Sequence, residues 1–225
     1  MDKFVIWTAV AAPLEAANID TNQLCPTRFN KLEKGPQYAR VLFHDLRFHP
    51  DGTEKADFIL NQAPYRNAGI IVADRNFGCG SSRESAVYAL ATFGIRSVIA
   101  PSFGDIFFNN CLKNSVVPVV LDAATCAGLR AKLRAQVGAE LTVDLERLVV
   151  IDTDGKPHPF DIHALRRRCL LSGLDDIALT REFSEVMRPF EATYRREFSW
   201  VRPVAIGAAA KAGEAAAPRK PGTSA

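Results

Sequence analysis

Within the nine residues Asn76-Phe77-Gly78-Cys79-Gly80-Ser81-Ser82-Arg83-Glu84, two glycines, a thiol, two hydroxyls and a guanidinium stand side by side. A glycine-lined turn that opens a helix points free backbone N–H groups outward, and such ends bind carboxylates and phosphates. Gly78 and Gly80 permit a sharp turn and let a ligand approach the backbone closely. Ser81 and Ser82 add hydroxyls, and Arg83 offers a planar fork for bidentate carboxylate binding. The local chemistry is that of a site for a small carboxylate. A plainer reading stands beside it. Ser81 with Glu84 three residues on also satisfies a capping box, which does no more than start a helix. No Gly-Lys-Ser/Thr ending is present, so a nucleotide phosphate loop is not indicated. Cys79 is a reactive thiol or, by default for this residue type, a small buried side chain.

The elements that must position this loop are legible around it. Residues 69–74 (GIIVAD) form a continuous apolar run suited to a buried strand, and 97–102 (SVIAPS) and 118–121 (PVVL) repeat that type. Residues 82–93 and 104–115 predict the intervening helices. This alternation predicts right-handed crossovers, a parallel or mixed sheet, and site loops at the C-terminal ends of the strands. Upstream, residues 3–11 predict a strand, residues 18–30 (NIDTNQLCPTRFN) a loop that is a second candidate site element, residues 38–48 one short helix, and Asp51-Gly52 a surface turn. Downstream, Asp122 caps a predicted helix running to Gly138, and strands joined by a tight turn at Asp154-Gly155 follow. Two more helices are predicted, one stopping at Gly173 and one over 175–198 kinked or broken at Pro189.

The chain has 225 residues, 48% of them hydrophobic, enough to bury a real core in one α/β domain. That domain is expected to span residues 1–203, with an Ala-, Gly-, Pro- and Lys-rich disordered tail over 204–225. The net charge is +3, and the only basic run is Arg166-Arg167-Arg168, which gives nucleic-acid binding little support. No apolar stretch approaches the roughly 20 residues of a membrane span, and the N-terminal residues do not form a convincing signal peptide, so the expected location is the cytoplasm. Five widely spaced cysteines (Cys25, Cys79, Cys111, Cys126, Cys169) form no CxxC pair, which argues against a disulfide framework or a metal site built within this chain alone. His44, His49, His158 and His163 lack metal-ligand spacing. Any metal must come from a partner.

In its strand-to-helix context, NFGCGSSRE resembles the loop of the swivelling domain of the aconitase superfamily. NIDT at 18–21, APSFGDIFFNN at 100–110 and DIHALRRRCLLSGLDDIALT at 161–180 resemble the small subunits of isopropylmalate dehydratases, in the same order. The resemblance covers roughly residues 3–200. It implies a swivelling β/β/α domain, a mixed, largely parallel sheet flanked by helices. It also implies a hydro-lyase subunit that binds no cofactor itself and is active only with a large subunit carrying a [4Fe-4S] cluster, as a heterodimer or heterotetramer. The implied substrate is a small dicarboxylic acid, and the implied reaction converts 2-isopropylmalate to 3-isopropylmalate by dehydration and rehydration in leucine biosynthesis.

Carried over residue by residue, the resemblance makes Ser81 the general base, with Ser82 assisting and Arg83 holding a substrate carboxylate. Cys79, Gly80, Thr21, Asn22 and Lys34 would complete the substrate site. A serine is a poor base unless its alkoxide is stabilised, so the loop N–H groups, the helix N-terminus and Arg83 must form an electropositive cradle. Three positions depart from the family pattern. Asn22 stands where an Asp is usual, Ser85 where a His is common, and Lys34-Gly35-Pro36-Gln37-Tyr38 where an Arg-Thr-Gly-Phe element occurs. Lys34 supplies a point charge without the fork of an arginine, and Arg28 and Lys31 join it as candidates for a substrate-facing loop. These departures keep open a related acid, such as dimethylmalate or citramalate/citraconate, and also a non-catalytic anion-binding regulatory subunit.

Overall fold

The computed structural model describes residues 1–198 and Trp200; the expected tail over 204–225 lies outside the described residues. The chain divides into two compact units, Met1–Leu179 and a second beginning at Thr180. In the first, strand β1 (Ile6–Pro13) is followed by three short helices, α1 (Thr21–Leu24), α2 (Tyr38–Val41) and α3 (His44–Arg47). Then come β2 (Ile70–Val72), α4 (Glu84–Phe93), β3 (Ser97–Ala100), α5 (Asp105–Lys113), β4 (Val117–Val120) and α6 (Ala123–Ala135). The antiparallel strands β5 (Glu140–Asp144), β6 (Val149–Ile151) and β7 (Pro157–Pro159) precede α7 (Ala164–Ser172). Helix α8 (Asp176–Arg181) runs across the boundary, and α9 (Ser184–Glu197) lies in the second unit.

The seven strands form one mixed sheet in the order β4-β3-β2-β1-β5-β6-β7. Strands β1 to β4 run parallel, whereas β5 pairs antiparallel with β1 and begins a meander. The apolar runs are continuous because both faces of the parallel half are covered. Successive residues alternate between two cores: Ile71 and Val98 join α2 and α4 on one face, while Ile70, Val72 and Ile99 join α6 and α7 on the other.

Local chemistry explains several boundaries. Asp122 accepts from the Thr125 N–H and caps α6, and Gly173 ends α7 in the left-handed conformation. The helix expected over 38–48 is instead two helices. Phe43 between them adopts φ 53° and is fully buried, and its N–H donates to the Leu24 carbonyl, so a core contact breaks the helix. The long helix expected over 175–198 also divides in two, but not at Pro189, which lies inside α9. The break falls ahead of it, where the Phe183 N–H donates to Thr180 O and the Phe183 carbonyl accepts from Val186 and Met187. Ion pairs Glu185–Arg188 and Glu191–Arg195 flank the proline within α9.

The β6–β7 turn at Asp154-Gly155 forms as expected, with Gly155 at φ 78°, around the Asp152 carboxylate, whose side chain is 1% exposed. Burial pushes the Asp152 carboxyl up, but it is outweighed by His158, by Lys132 at 2.8 Å and by the Lys156 and Asp154 N–H groups, which hold the carboxyl below the ordinary carboxylate range. A depressed folded value stabilises the fold above the unfolded pKa of 3.8 and is lost as pH falls through the folded one. Asp152→Asn should cost about 2 kcal/mol at pH 7. Urea titrations of both proteins should show the gap closing as the pH drops below about 4.

Candidate active site

The loop after β2 is threaded against the segment after β1. The Gly78 N–H donates to the Ile19 carbonyl (2.7 Å), the Thr21 N–H to the Cys79 carbonyl (2.9 Å), and the Thr21 Oγ1 to the Ser81 carbonyl (2.8 Å). At the base of this splice Asn18 and Asn76 both adopt left-handed backbone, φ 56° and 59°, a conformation asparagine tolerates. Their side chains join through Asn76 Nδ2 and Asn18 Oδ1 at 2.9 Å. A second splice ties the loop to the turn after β3, through Phe77 N–H to Ser102 O (3.0 Å) and Gly104 N–H to Phe77 O (2.9 Å). Phe77 is fully buried, edge-on to Phe103 and Phe107.

The two loop glycines have different reasons to be glycine. At Gly78 (φ 72°) a Cβ would collide with the Phe107 ring, whereas at Gly80 (φ 88°) it would meet only Asp20 Cβ at 3.6 Å and Thr21 Oγ1 at 3.8 Å. Gly104 also permits close approach, since a Cβ there would lie 2.6 Å from the Gly78 carbonyl oxygen.

Helix α4 begins at Glu84, with Arg83 as its N-cap residue and no side-chain cap. The expected capping box is therefore not formed. Ser81 and Ser82 precede the helix, both exposed, and neither hydroxyl makes a hydrogen bond to another described residue. Ser81 and Gly80 instead line one side of a depression of about 170 Å³, with Gly104 to Phe107 opposite.

Arg83 is oriented from the first loop: its Nη1 donates to Asn22 Oδ1 (2.9 Å) and to the Cys25 carbonyl (3.4 Å). The same Asn22 oxygen accepts from the Thr27 N–H and Oγ1, which fixes its direction. Because Asn22 is an amide, it steers the guanidinium without neutralising it. Asp20 forms a capping box with Gln23 that sets α1, and so places Thr21 and Asn22. Ser85 Oγ reaches Asn30 Oδ1 at 3.0 Å, joining α4 to residues 27–30.

Thr21 is buried and its hydroxyl is spent on the Ser81 carbonyl, so it holds the loop from beneath. Cys79 is half-buried, its Sγ toward the Asn18 carbonyl, and burial with the Asp20 charge pushes its thiol pKa up, so the protonated form is favoured. Burial likewise raises Cys25, beside Ser85 and Arg83. Lys34 Nζ sits over the Tyr88 ring of α4, 3.7 Å from its centroid. Arg28 is paired with Asp45 and Lys31 is exposed. Among the described residues no three His, Cys, Asp or Glu side chains converge to hold a metal ion, and no helix is long and apolar enough to cross a membrane. Asn18, Asn30 and the Cys25 carbonyl lie in the 18–30 loop that the sequence marks as a site element, but nothing in the sequence singles them out within it. The only local signal for Asn18 is a turn-forming asparagine ahead of Ile19-Asp20.

A family model described as the aconitase C-terminal domain matches residues 1–124, and a LeuD_N model matches residues 127–164. The 3-isopropylmalate dehydratase small subunit of Gluconacetobacter diazotrophicus is 51% identical over 206 residues, covering 92% of this chain and 100% of that protein. Its counterpart in Paracoccus denitrificans is 46% identical over 201 residues, covering 89% and 100%. A solved structure of 3-isopropylmalate dehydratase (leuD) from Methanocaldococcus jannaschii superposes with a TM-score of 0.60 at 23% identity, covering 82% of this chain and 99% of that one. That likeness bears on the fold, and it agrees with the α/β sheet described above.

Proposed function

The chain belongs to the 3-isopropylmalate dehydratase small subunits of the aconitase superfamily, and on that premise we propose that it is the serine-bearing half of a cytoplasmic hydro-lyase that converts 2-isopropylmalate to 3-isopropylmalate in leucine biosynthesis. As a small subunit it has a large-subunit partner. In the proposed assembly, a heterodimer or heterotetramer, that partner holds the [4Fe-4S] cluster, which supplies Lewis-acid chemistry at the substrate hydroxyl and carboxylate.

This chain's own part follows from its side chains. Ser81 Oγ, as the alkoxide, takes the proton from carbon; the electron pair left behind forms the double bond as the neighbouring C–O bond breaks and hydroxide leaves. Hydroxide then adds to the carbon that lost the proton, and Ser81 gives its proton to the carbon that lost the hydroxyl, which restores the alkoxide. The alkoxide is stabilised by free N–H groups at the start of α4, by the glycine loop and by the charge of Arg83. Arg83, steered by Asn22, binds a substrate carboxylate. Gly80 lines the pocket beside Ser81, Ser82 assists through its hydroxyl from the next position, half-buried Cys79 stands between the two loop glycines, and Lys34 on Tyr88 is the outer cationic contact.

The observation that carries this reading is the free, exposed Ser81 hydroxyl at a loop held by long-range hydrogen bonds, ahead of a helix it does not cap. The test is anaerobic turnover of 2-isopropylmalate, dimethylmalate, citraconate and citrate by the chain reconstituted with its large subunit. The expected result is highest kcat/KM for 2-isopropylmalate. Preference for another acid would move the substrate and point to Asn22, Ser85 and residues 34–38 as its determinants. No turnover of any acid would leave the anion-binding subunit as the better reading.

A further inference from the structure

Arg130 projects from α6, on the face of the sheet opposite α4, and its side chain is only 7% exposed. All three guanidinium nitrogens are engaged at the ends of two adjacent parallel strands. Nε donates to Glu15 Oε2 (3.1 Å), Nη1 to the Ala73 carbonyl (2.7 Å) and Nη2 to Asp74 Oδ2 (3.3 Å). Glu15 starts the segment that leads to Asn18, Asp20 and Asn22; Ala73 and Asp74 start the one that leads to Gly78 and Ser81. Arg130 thus fastens the roots of the two segments whose far ends are spliced at Gly78–Ile19, Thr21–Cys79 and Thr21–Ser81.

A guanidinium does this because its donors diverge in one plane; an ammonium cannot meet three acceptors spread over these two segments in that fixed geometry. The neighbouring Arg134 also pairs with Glu15 but is 54% exposed, with no contact to Ala73 or Asp74. It carries the same charge to the same carboxylate without the fan, and so serves as the internal control.

We propose that Arg130 is a positioning residue for the reaction, a clamp on the far side of the sheet that fixes the relative placement of the Asn22 and Ser81 segments without touching substrate. The inference rests on the reading of Ser81 as the base, and its first test does not depend on that reading. Hydrogen exchange on the full chain should show the Gly78 and Thr21 amides, which bond across the splice, exchanging about 10-fold faster in Arg130→Met than in the wild type. The Val98 and Val119 amides, within β3 and β4, should be unchanged, and Arg134→Met should leave all four as they were.

In the reconstituted enzyme, Arg130→Met should lower kcat about 10- to 100-fold with KM little changed, because misplacing a reacting group weakens the transition state more than ground-state binding. Arg134→Met should keep kcat near the wild-type value. If Arg130→Met does not fold, Arg130→Lys, which can keep one ion pair but not the fan, is measured in its place with the same expected direction. Unchanged exchange at Gly78 and Thr21, or equal effects of the Arg130 and Arg134 changes, would overturn the proposal. Loss of splice protection alongside undiminished activity of Ser81→Ala would sustain the clamp and refute the base assignment instead.

Discussion

Ser81→Ala should fold normally, bind its large subunit and lose hydro-lyase turnover by about 10³-fold, within the range a positioned base contributes. The hydroxyl is exposed and unpaired among the described residues, so its removal leaves no buried acceptor stranded and no cavity. The carbonyl that anchors the residue to Thr21 is backbone and survives the change. A thermal melt close to the wild type together with collapsed kcat is therefore the expected pair of results. Turnover within a few-fold of wild type would mean that the proton leaves by another route and that the loop only binds. Ser82→Ala, at a neighbouring exposed hydroxyl, should cost distinctly less, on the order of 10-fold, since it is assigned an assisting hydrogen bond.

Gly78→Ala should do the opposite, damaging the fold first and activity in consequence. Two costs add. Alanine at φ 72° takes on a left-handed strain of about 1–2 kcal/mol, and its methyl would enter the Phe107 ring in a packed part of the core, where overfilling costs about 1–3 kcal/mol. The total, roughly 2–5 kcal/mol, is a large share of a domain's stability. Gly80→Ala shares the strain but not the collision, and should cost only about 1–2 kcal/mol. Chemical denaturation of the two variants separates them; equal losses would show that Phe107 yields to the methyl and that the loop is less tightly set than its contacts imply.

What could be read from the sequence was whatever depends on neighbours in the chain. The runs at 70–72, 97–100 and 117–120 declare buried strands by composition, and Asp122 and Gly173 declare helix ends by side-chain chemistry. The first strand sits a few residues later than expected, at Ile6–Pro13, because its limits are set by pairing with β2 and β5 rather than by its own residues. The break at Phe43 was hidden for the same reason: its cause is the Leu24 carbonyl. In the site, the residue types of the loop were legible, but the capping-box pattern of Ser81 and Glu84 was ambiguous. Only the start of α4 at Glu84 separates the two readings. Contacts such as Arg83 to Asn22 and Thr21 to Ser81 span about sixty residues and leave no local trace.

Strand β1 lies at the middle of the sheet, with β2 on one side at residue 70 onward and β5 on the other at residue 140 onward. Its residues leave the ribosome well before those of either partner. The nascent chain therefore carries Ile6, Trp7 and Val10 without a companion strand through most of synthesis, and one edge of β1 stays open after the parallel half has assembled. Closing it needs the segment at Glu140–Asp144, a contact across more than half the chain that must be reached before it stabilises anything. The parallel half that brings Thr21 to Ser81 thus has all its parts first, and β5, which closes the open edge of β1, arrives only after them, with β6 and β7 still to follow.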